Sequence, residues 1–96
     1  MDRDHFEAEL RRDGYEVRDG EIKPHEHREA HTHAFDVRFL VLDGTITVVF
    51  GQDRRDYGAG DACSVPADTL HEEHTGKDGV RYLIGRRPAP SASAAE

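Results

Sequence analysis

Residues 31–44 read HTHAFDVRFLVLDG. The stretch begins with the pair His31 and His33 and ends in the turn-forming dipeptide Asp43-Gly44. Because side chains alternate between the two faces of a strand, both imidazoles point to the same side of an extended chain. Apolar side chains follow at the same parity: Phe35, Val37, Phe39 and Val41. The stretch therefore predicts a strand with an apolar inner face that opens with two potential metal ligands.

A third histidine, His71, ends a second informative stretch, residues 60–71, which reads GDACSVPADTLH. Imidazole is the commonest metal-binding side chain near neutral pH. If the fold brings His71 beside His31 and His33, three nitrogen ligands surround one ion and leave positions open for water, substrate or dioxygen. The sequence thus predicts a bound divalent transition metal. Ligation by nitrogen alone suits zinc, nickel, copper and iron, and suits manganese less well.

Short runs rich in β-branched and aromatic residues recur between turn signals over most of the chain. Turn signals such as Asp19-Gly20 and Asp43-Gly44 contain the residues that tight turns require. The predicted strands are Tyr15–Arg18, Glu21–Lys23, Thr32–Leu42, Thr45–Phe50, Arg54–Tyr57, Ala62–Val65, His71–Thr75 and Val80–Ile84. Short strands at this spacing predict an all-β sandwich or barrel.

The chain divides into three predicted parts. Residues 1–13 form a short helix, because Phe6 and Leu10 lie four residues apart among charged residues, as on an amphipathic helix. Residues 14–87 contain the strands and form the barrel. Residues 88–96 are small, polar and rich in proline, with nothing to bury, which predicts a disordered tail.

The composition limits the classes of function. With 96 residues the chain supports one domain. Its formal net charge of −7 repels phosphate backbones and argues against binding to nucleic acid. The first residues lack the basic and apolar regions of a secretory signal, and no apolar run is long enough to cross a bilayer. We therefore expect a cytoplasmic protein without membrane or nucleic-acid partners.

Both histidine stretches resemble motifs of the cupin family. Residues 31–44 are similar to the first cupin motif, in which a His-x-His pair precedes a glutamate and then a glycine. Residues 60–71 are similar to the second motif, in which glycine, proline, glycine and histidine follow one another at set intervals. The resemblance implies a double-stranded β-helix, the jelly-roll cupin barrel, preceded here by the short N-terminal helix.

Two positions depart from the cupin motifs. Val37 occupies the position of the glutamate ligand in the first motif, and Asp68 occupies that of the second motif's glycine, where Asp is one of the few residues tolerated. As the fourth ligand we expect Glu73, which lies two residues beyond His71 and shares its face of the strand. Asp36 points the other way by strict alternation and would turn inward only at a β-bulge.

Other residues have competing interpretations. Glu73 is a ligand, a general base or a charge at the rim, and Tyr82 is a core residue or offers its hydroxyl to a ligand. A further pair, His25 and His27, is expected in an exposed loop or at the mouth of the barrel.

The outer face of the central strand is also apolar, since it carries Leu40 and Leu42. Either the N-terminal helix or a second subunit must cover such a face. We expect a second subunit, and hence a homodimer, because so short a helix is small for the purpose.

The leading functional hypothesis is a small metal-dependent enzyme that acts on a small organic molecule. In it His31, His33 and His71 hold the ion, while Glu73 and Tyr82 are the candidate catalytic residues. The sequence leaves the reaction open among oxygenase, isomerase and lyase types, because a shared fold does not transfer an activity. The alternative is a non-catalytic module that binds or senses a small molecule, and bound metal would favour the enzyme.

Overall fold

The structure, a computed structural model, describes residues 1–89. Its elements are, in chain order, α1 (Arg3–Arg12), β1 (Glu16–Ile22), β2 (His27–His31), β3 (Phe35–Phe50), β4 (Asp53–Gly58), β5 (Ala62–Val65) and β6 (His71–Pro88). All strand pairs are antiparallel: β1, β6, β3 and β4 lie side by side in that order, β2 pairs with β6, and β5 pairs with β3. The predicted all-β fold with a short N-terminal helix is confirmed.

Strands β1, β3 and β6 are longer than predicted, because each contains two of the predicted strands. The turns predicted at Asp19-Gly20, at Asp43-Gly44 and between the predicted strands His71–Thr75 and Val80–Ile84 are therefore wrong, since all three positions lie within continuing strands. Gly44 and Gly79 adopt φ angles of 79° and 64°, a left-handed conformation that glycine adopts at low cost. The β3–β6 register shifts on both sides of Gly44, so β-bulges bend the strands without ending them.

The barrel interior contains the larger of two apolar clusters. Its buried members are Ile22, Val37, Phe39, Val41, Ile46, Val48, Cys63, Val65, Val80 and Tyr82. The inner face predicted for the first half of β3 is confirmed by Val37, Phe39 and Val41. Beyond the bend the buried residues are Ile46 and Val48, because the register shifts change which parity faces inward.

Helix α1 covers the outer face of the central strands. Phe6 and Leu10 are fully buried against Leu40 and Leu83, with Leu42 partly buried at the edge of the cluster. Burial of one such side chain contributes about 1.5–3 kcal/mol. The helix therefore provides the cover for which we expected a second subunit. The homodimer stays a prediction.

His25 lies in an exposed turn, as expected, but His27 begins strand β2 rather than lying in the expected exposed loop. This edge strand pairs with β6 alone within the described sheet, and its register shifts between Arg28 and His31. The polar sequence HREAH contains no apolar alternation that would reveal a strand. Backbone hydrogen bonds to β6 hold the segment instead, beginning with the bond from the Thr75 amide to the Glu26 carbonyl at 2.9 Å.

Strand β6 ends at Pro88, the first residue of the predicted disordered tail. Residues 90–96 of that tail lie outside the described residues. Within residues 1–89, no helix combines the length and the apolar character needed to span a membrane.

Candidate metal centre

The fold brings His31, His33 and His71 together at one end of the barrel. His31 is the last residue of β2 and pairs with His71, the first residue of β6, while His33 follows between β2 and β3. The ring centroids lie 4.5 Å apart for His31 and His71, 4.7 Å for His31 and His33, and 5.3 Å for His33 and His71. One potential ligand atom from each ring lies within 4.8 Å of the others. We call these three residues the inner triad.

Backbone contacts fix the protonation of two rings in the inner triad. His31 Nδ1 lies 2.6 Å from the Glu29 carbonyl oxygen, and His71 Nδ1 lies 2.9 Å from that of Thr69. A carbonyl oxygen only accepts hydrogen bonds, so each Nδ1 carries the proton. In the neutral ring the Nε2 atom then keeps its lone pair, which is the form that binds a metal ion. The donor set therefore fits a divalent transition metal.

His33 stacks on Phe35, with ring centroids 4.8 Å apart and an interplanar angle of 16°. Partial burial lowers the pKa of His33 below its ordinary value, and the proximity of His31 and His71 lowers it further. A lower pKa keeps the ring neutral at more acidic pH, so His33 is also suited to act as a ligand.

The loop that leads to His71 is held by backbone and carboxylate contacts. Asp36 Oδ1 accepts a hydrogen bond of 2.8 Å from the Ala67 amide, which lowers the pKa of the carboxyl, and Oδ2 accepts one of 3.2 Å from Arg87. The Asp68 amide donates to the His33 carbonyl at 2.8 Å, and Asp68 has a φ of 63°. The turn thus tolerates an aspartate in place of glycine, as expected. Asp36 stays outside the barrel and positions the loop.

Glu73 lies beside the inner triad. Its Oε2 is 3.6 Å from His71 Nε2, its Oε1 is 3.8 Å from an Arg28 nitrogen, and its side chain is 14% exposed. Two three-residue groups within residues 1–89 have ligand atoms that all lie within 4.8 Å of one another, and Glu73 belongs to neither. In this conformation the Glu73 carboxylate lies between the Arg28 guanidinium and His71 and is not itself one of the clustered ligands.

A small enclosed cavity of ≈ 80 Å³ adjoins the inner triad. It is lined by Arg28, His33, Phe35, Val37, Phe39, Val65, His71, Glu73, Tyr82, Ile84 and Arg86. Val37, in the position of the motif glutamate, gives the wall an apolar surface. Tyr82 lies on the cavity wall, and burial raises the pKa of its phenol, so the hydroxyl stays protonated at neutral pH.

Two cationic residues that line this cavity, Arg28 and Arg86, were not among the predicted site residues. Arg86 has the same parity as Tyr82 and Ile84, a signal that could have placed it on the inner face. Its guanidinium carbon lies 5.1 Å above the Phe35 ring, and within residues 1–89 no carboxylate pairs with it. Arg28 gave no such signal, because β2 has no recognisable strand pattern.

The second group of potential ligands consists of His27, Glu72 and His74, which we call the outer trio. It lies on the opposite face of β2 and β6, because Glu72 and His74 alternate with His71 and Glu73 along the strand. His27 was predicted in an exposed loop or at the mouth of the barrel, and no sequence pattern connects it with Glu72 and His74.

Comparisons with known proteins agree with this architecture. The Cupin_2 profile, described as a cupin domain, matches residues 18–84. A cupin-2 domain containing protein from Shewanella frigidimarina is 23% identical, with a TM-score of 0.64 over 77% of this chain and 70% of that chain. KdgF from Halomonas sp. is 19% identical, with a TM-score of 0.67 over 77% of this chain and 69% of that one.

A third solved structure, the DMSP lyase DddQ from Ruegeria pomeroyi, is 19% identical, with a TM-score of 0.67 over 74% of this chain and 36% of that chain. At these identities the structural likenesses show the fold alone. No curated protein matches the chain.

Proposed function

Because the chain belongs to the Cupin_2 family of cupin domains, we propose that it is a small metal-dependent enzyme acting on a small organic molecule. The observation that carries the proposal is the convergence of the inner triad beside an enclosed cavity. Nitrogen ligands suit zinc, iron, nickel, copper and, less well, manganese. Three protein ligands leave coordination positions open to a substrate, as in catalytic rather than structural metal sites.

A metal held by His31, His33 and His71 would supply Lewis-acid activation or, for a redox metal, dioxygen binding. Glu73 is the proposed proton acceptor, because its carboxylate lies at the cavity wall beside His71 and Arg28. The protonated Tyr82 hydroxyl is proposed to orient the substrate by a hydrogen bond. The apolar side chains on the wall lower the local dielectric constant and so strengthen both polar contacts.

Metal analysis tests this function directly. After growth with zinc, iron, nickel, copper and manganese, we expect the purified protein to contain at least one equivalent of a divalent metal per chain. Occupancy should fall below about pH 6, because protons compete for imidazole nitrogens. The lowered pKa of His33 delays that competition, so the fall should not begin above this value. Only trace metal, or binding that is indifferent to acid, would refute the enzyme and favour a non-catalytic binding module.

We propose that the substrate carries a carboxylate or a similar anionic group. Arg86 contributes a positive charge to the cavity wall, where the Phe35 ring supports its guanidinium. Arg28, by contrast, is already paired with Glu26 and Glu73. A planar guanidinium binds a carboxylate through two parallel hydrogen bonds, so Arg86 is the residue able to hold such a group near the inner triad.

The Arg86→Gln substitution tests the substrate class. With the metal-loaded protein and glycolate as probe, we expect the substitution to raise the dissociation constant at least tenfold, because a hydrogen bond to a charged group contributes about 1.5–3 kcal/mol. Isothermal titration calorimetry measures the change. The matched control is Arg81→Gln, on the same strand, where the side chain is 60% exposed and faces Asp43. Equal affinities in the two variants, at unchanged metal content, would contradict the role of Arg86.

The predicted cytoplasmic location and homodimer form part of this proposal. The acidic composition and the small cavity are compatible with an enzyme of small metabolites.

A further inference from the structure

The outer trio combines two imidazoles and a carboxylate on neighbouring strands. His27 on β2 lies directly across from His74 on β6, so the two rings come from one cross-strand pair. Glu72 precedes His74 by two residues on the same face. The mechanism proposed for the inner triad uses none of these three residues.

Contacts within the outer trio bring its donor atoms together. Glu72 Oε1 accepts a hydrogen bond of 3.0 Å from His74 Nε2, so an ion bound at this nitrogen replaces its proton, and Glu72 Oε2 lies 3.8 Å from His27 Nε2. The imidazole rings stack with centroids 4.2 Å apart and an interplanar angle of 10°. Parallel rings aim their lone pairs in parallel, so each ring must turn about its Cβ–Cγ bond to face one ion. Side-chain exposures of 51% for His27 and 30% for His74 leave room for that rotation.

The sheet register places charges of both signs beside the outer trio, since Arg54 on β4 pairs with Val49, the partner of Glu72, and Asp56 lies in the row of His74. Thr47 pairs with His74 in the sheet, and its hydroxyl donates to Asp56 on β4 at 2.6 Å, which places a second carboxylate on the neighbouring strand. The formal net charge of the chain is −7. Two imidazoles and a carboxylate are a common donor set for divalent transition metals.

We propose that His27, Glu72 and His74 bind a second divalent transition-metal ion on the outer face of the barrel. Its role follows from strand β2, which pairs with β6 alone within the described sheet and has a register shift between Arg28 and His31. An ion shared by His27 and His74 ties the start of this edge strand to β6. The same strand carries Arg28 into the cavity and His31 into the inner triad. The outer ion therefore stabilises the inner site as well as β2.

Zinc binding in matched variants separates the two sites. Equilibrium dialysis against zinc at neutral pH should give two equivalents for the native chain and one for His74→Ala, with at least a tenfold loss of affinity at the outer site. His33→Ala should also bind one equivalent, and the double variant none. The control His5→Ala removes an exposed histidine of helix α1 and should keep both equivalents.

The expected coupling between the outer trio and the inner triad provides a second measurement. Competition with a chromogenic chelator should show that the remaining inner ion of His74→Ala is bound about five- to tenfold more weakly than in the native chain, within the range of known couplings between sites. If His74→Ala fails to fold, His27→Ala at the exposed edge gives the same comparison. The outer site would be overturned if these variants still bound two equivalents of zinc. It would also be overturned if the native chain bound a single ion and His74→Ala kept that ion. A native chain that binds one ion lost in His74→Ala but kept in His33→Ala would support the outer site and refute the function proposed for the inner triad.

Discussion

Replacing His71 with alanine is expected to weaken metal binding by the inner triad about 100-fold. His71 is 2% exposed, and its hydrogen bond to the Thr69 carbonyl already orients Nε2 for a metal ion. Structural zinc sites with four ligands bind with about 10–16 kcal/mol, so one ligand carries roughly 3 kcal/mol, or about 100-fold in Kd. We expect a loss of this size in the zinc affinity of the inner triad.

Cobalt substitution provides the measurement, because the visible absorption of the ion reports its ligand set. His71→Ala should lose the cobalt spectrum assigned to the inner triad, whereas His5→Ala should keep it. Since His71 is buried, circular dichroism and thermal melting of the metal-free proteins must show that the variant folds. His33→Ala, at a half-buried position, provides the same test with less disturbance of packing. An unchanged spectrum in both variants would mean that other residues hold the metal.

Gly44→Ala is expected to be the most destabilising small substitution in the sheet. A left-handed conformation costs a residue with a β-carbon about 1–2 kcal/mol. The new β-carbon would also overlap the Gly79 carbonyl oxygen and lie 3.0 Å from its carbonyl carbon. These neighbours are backbone atoms of β6, so the two central strands must separate. We expect a loss of at least about 3 kcal/mol in the free energy of unfolding, against a typical total of 5–15 kcal/mol.

Thermal unfolding measures this loss, since about 1 kcal/mol corresponds to 4–8 °C for a domain of this size. The midpoint of Gly44→Ala should therefore fall by roughly 12 °C or more. The matched control is Gly51→Ala, because Gly51 has a φ of 60° but no atom within 4 Å of an added β-carbon. The Gly51→Ala variant therefore loses stability only through the unfavourable left-handed conformation of the new alanine. Similar midpoints for the two variants would show that close approach of β3 and β6 at Gly44 is unimportant.

The sequence was sufficient to predict an all-β fold with a short N-terminal helix, but it did not predict the lengths of the strands. Glycine after aspartate indicates a position that needs positive φ, and both a hairpin turn and a β-bulge satisfy that need. At Gly44 the chain continues across the bulge because β6 provides a partner on both sides of it. That partner comes from a distant part of the chain, and local patterns contain no information about it.

The candidate site likewise contains residues that the sequence predicted and residues that it did not. Strand alternation predicted that His31 and His33 lie together, and the motif resemblance added His71. The two residues do lie together, but the predicted strand begins only at Phe35, so His31 ends β2 and His33 lies between β2 and β3. The position of Arg28 depends on a β-bulge in a polar edge strand, and the outer trio depends on the β2–β6 register. Both are set by pairing between strands rather than by the residues themselves, so periodicity could not predict them.

The pairing of β3 with β6 also determines when the metal ligands meet during folding. Phe35 pairs with Pro88 and Val49 with Glu72, so the central sheet forms only after distant segments of the chain come together. Folding dominated by such non-local contacts is slow, because loop-closure entropy is lost before the contacts compensate for it. His31 and His71 become neighbours only when β2 pairs with β6. We expect a bound ion to prolong the lifetime of the native barrel, because it binds the folded chain and not the unfolded one.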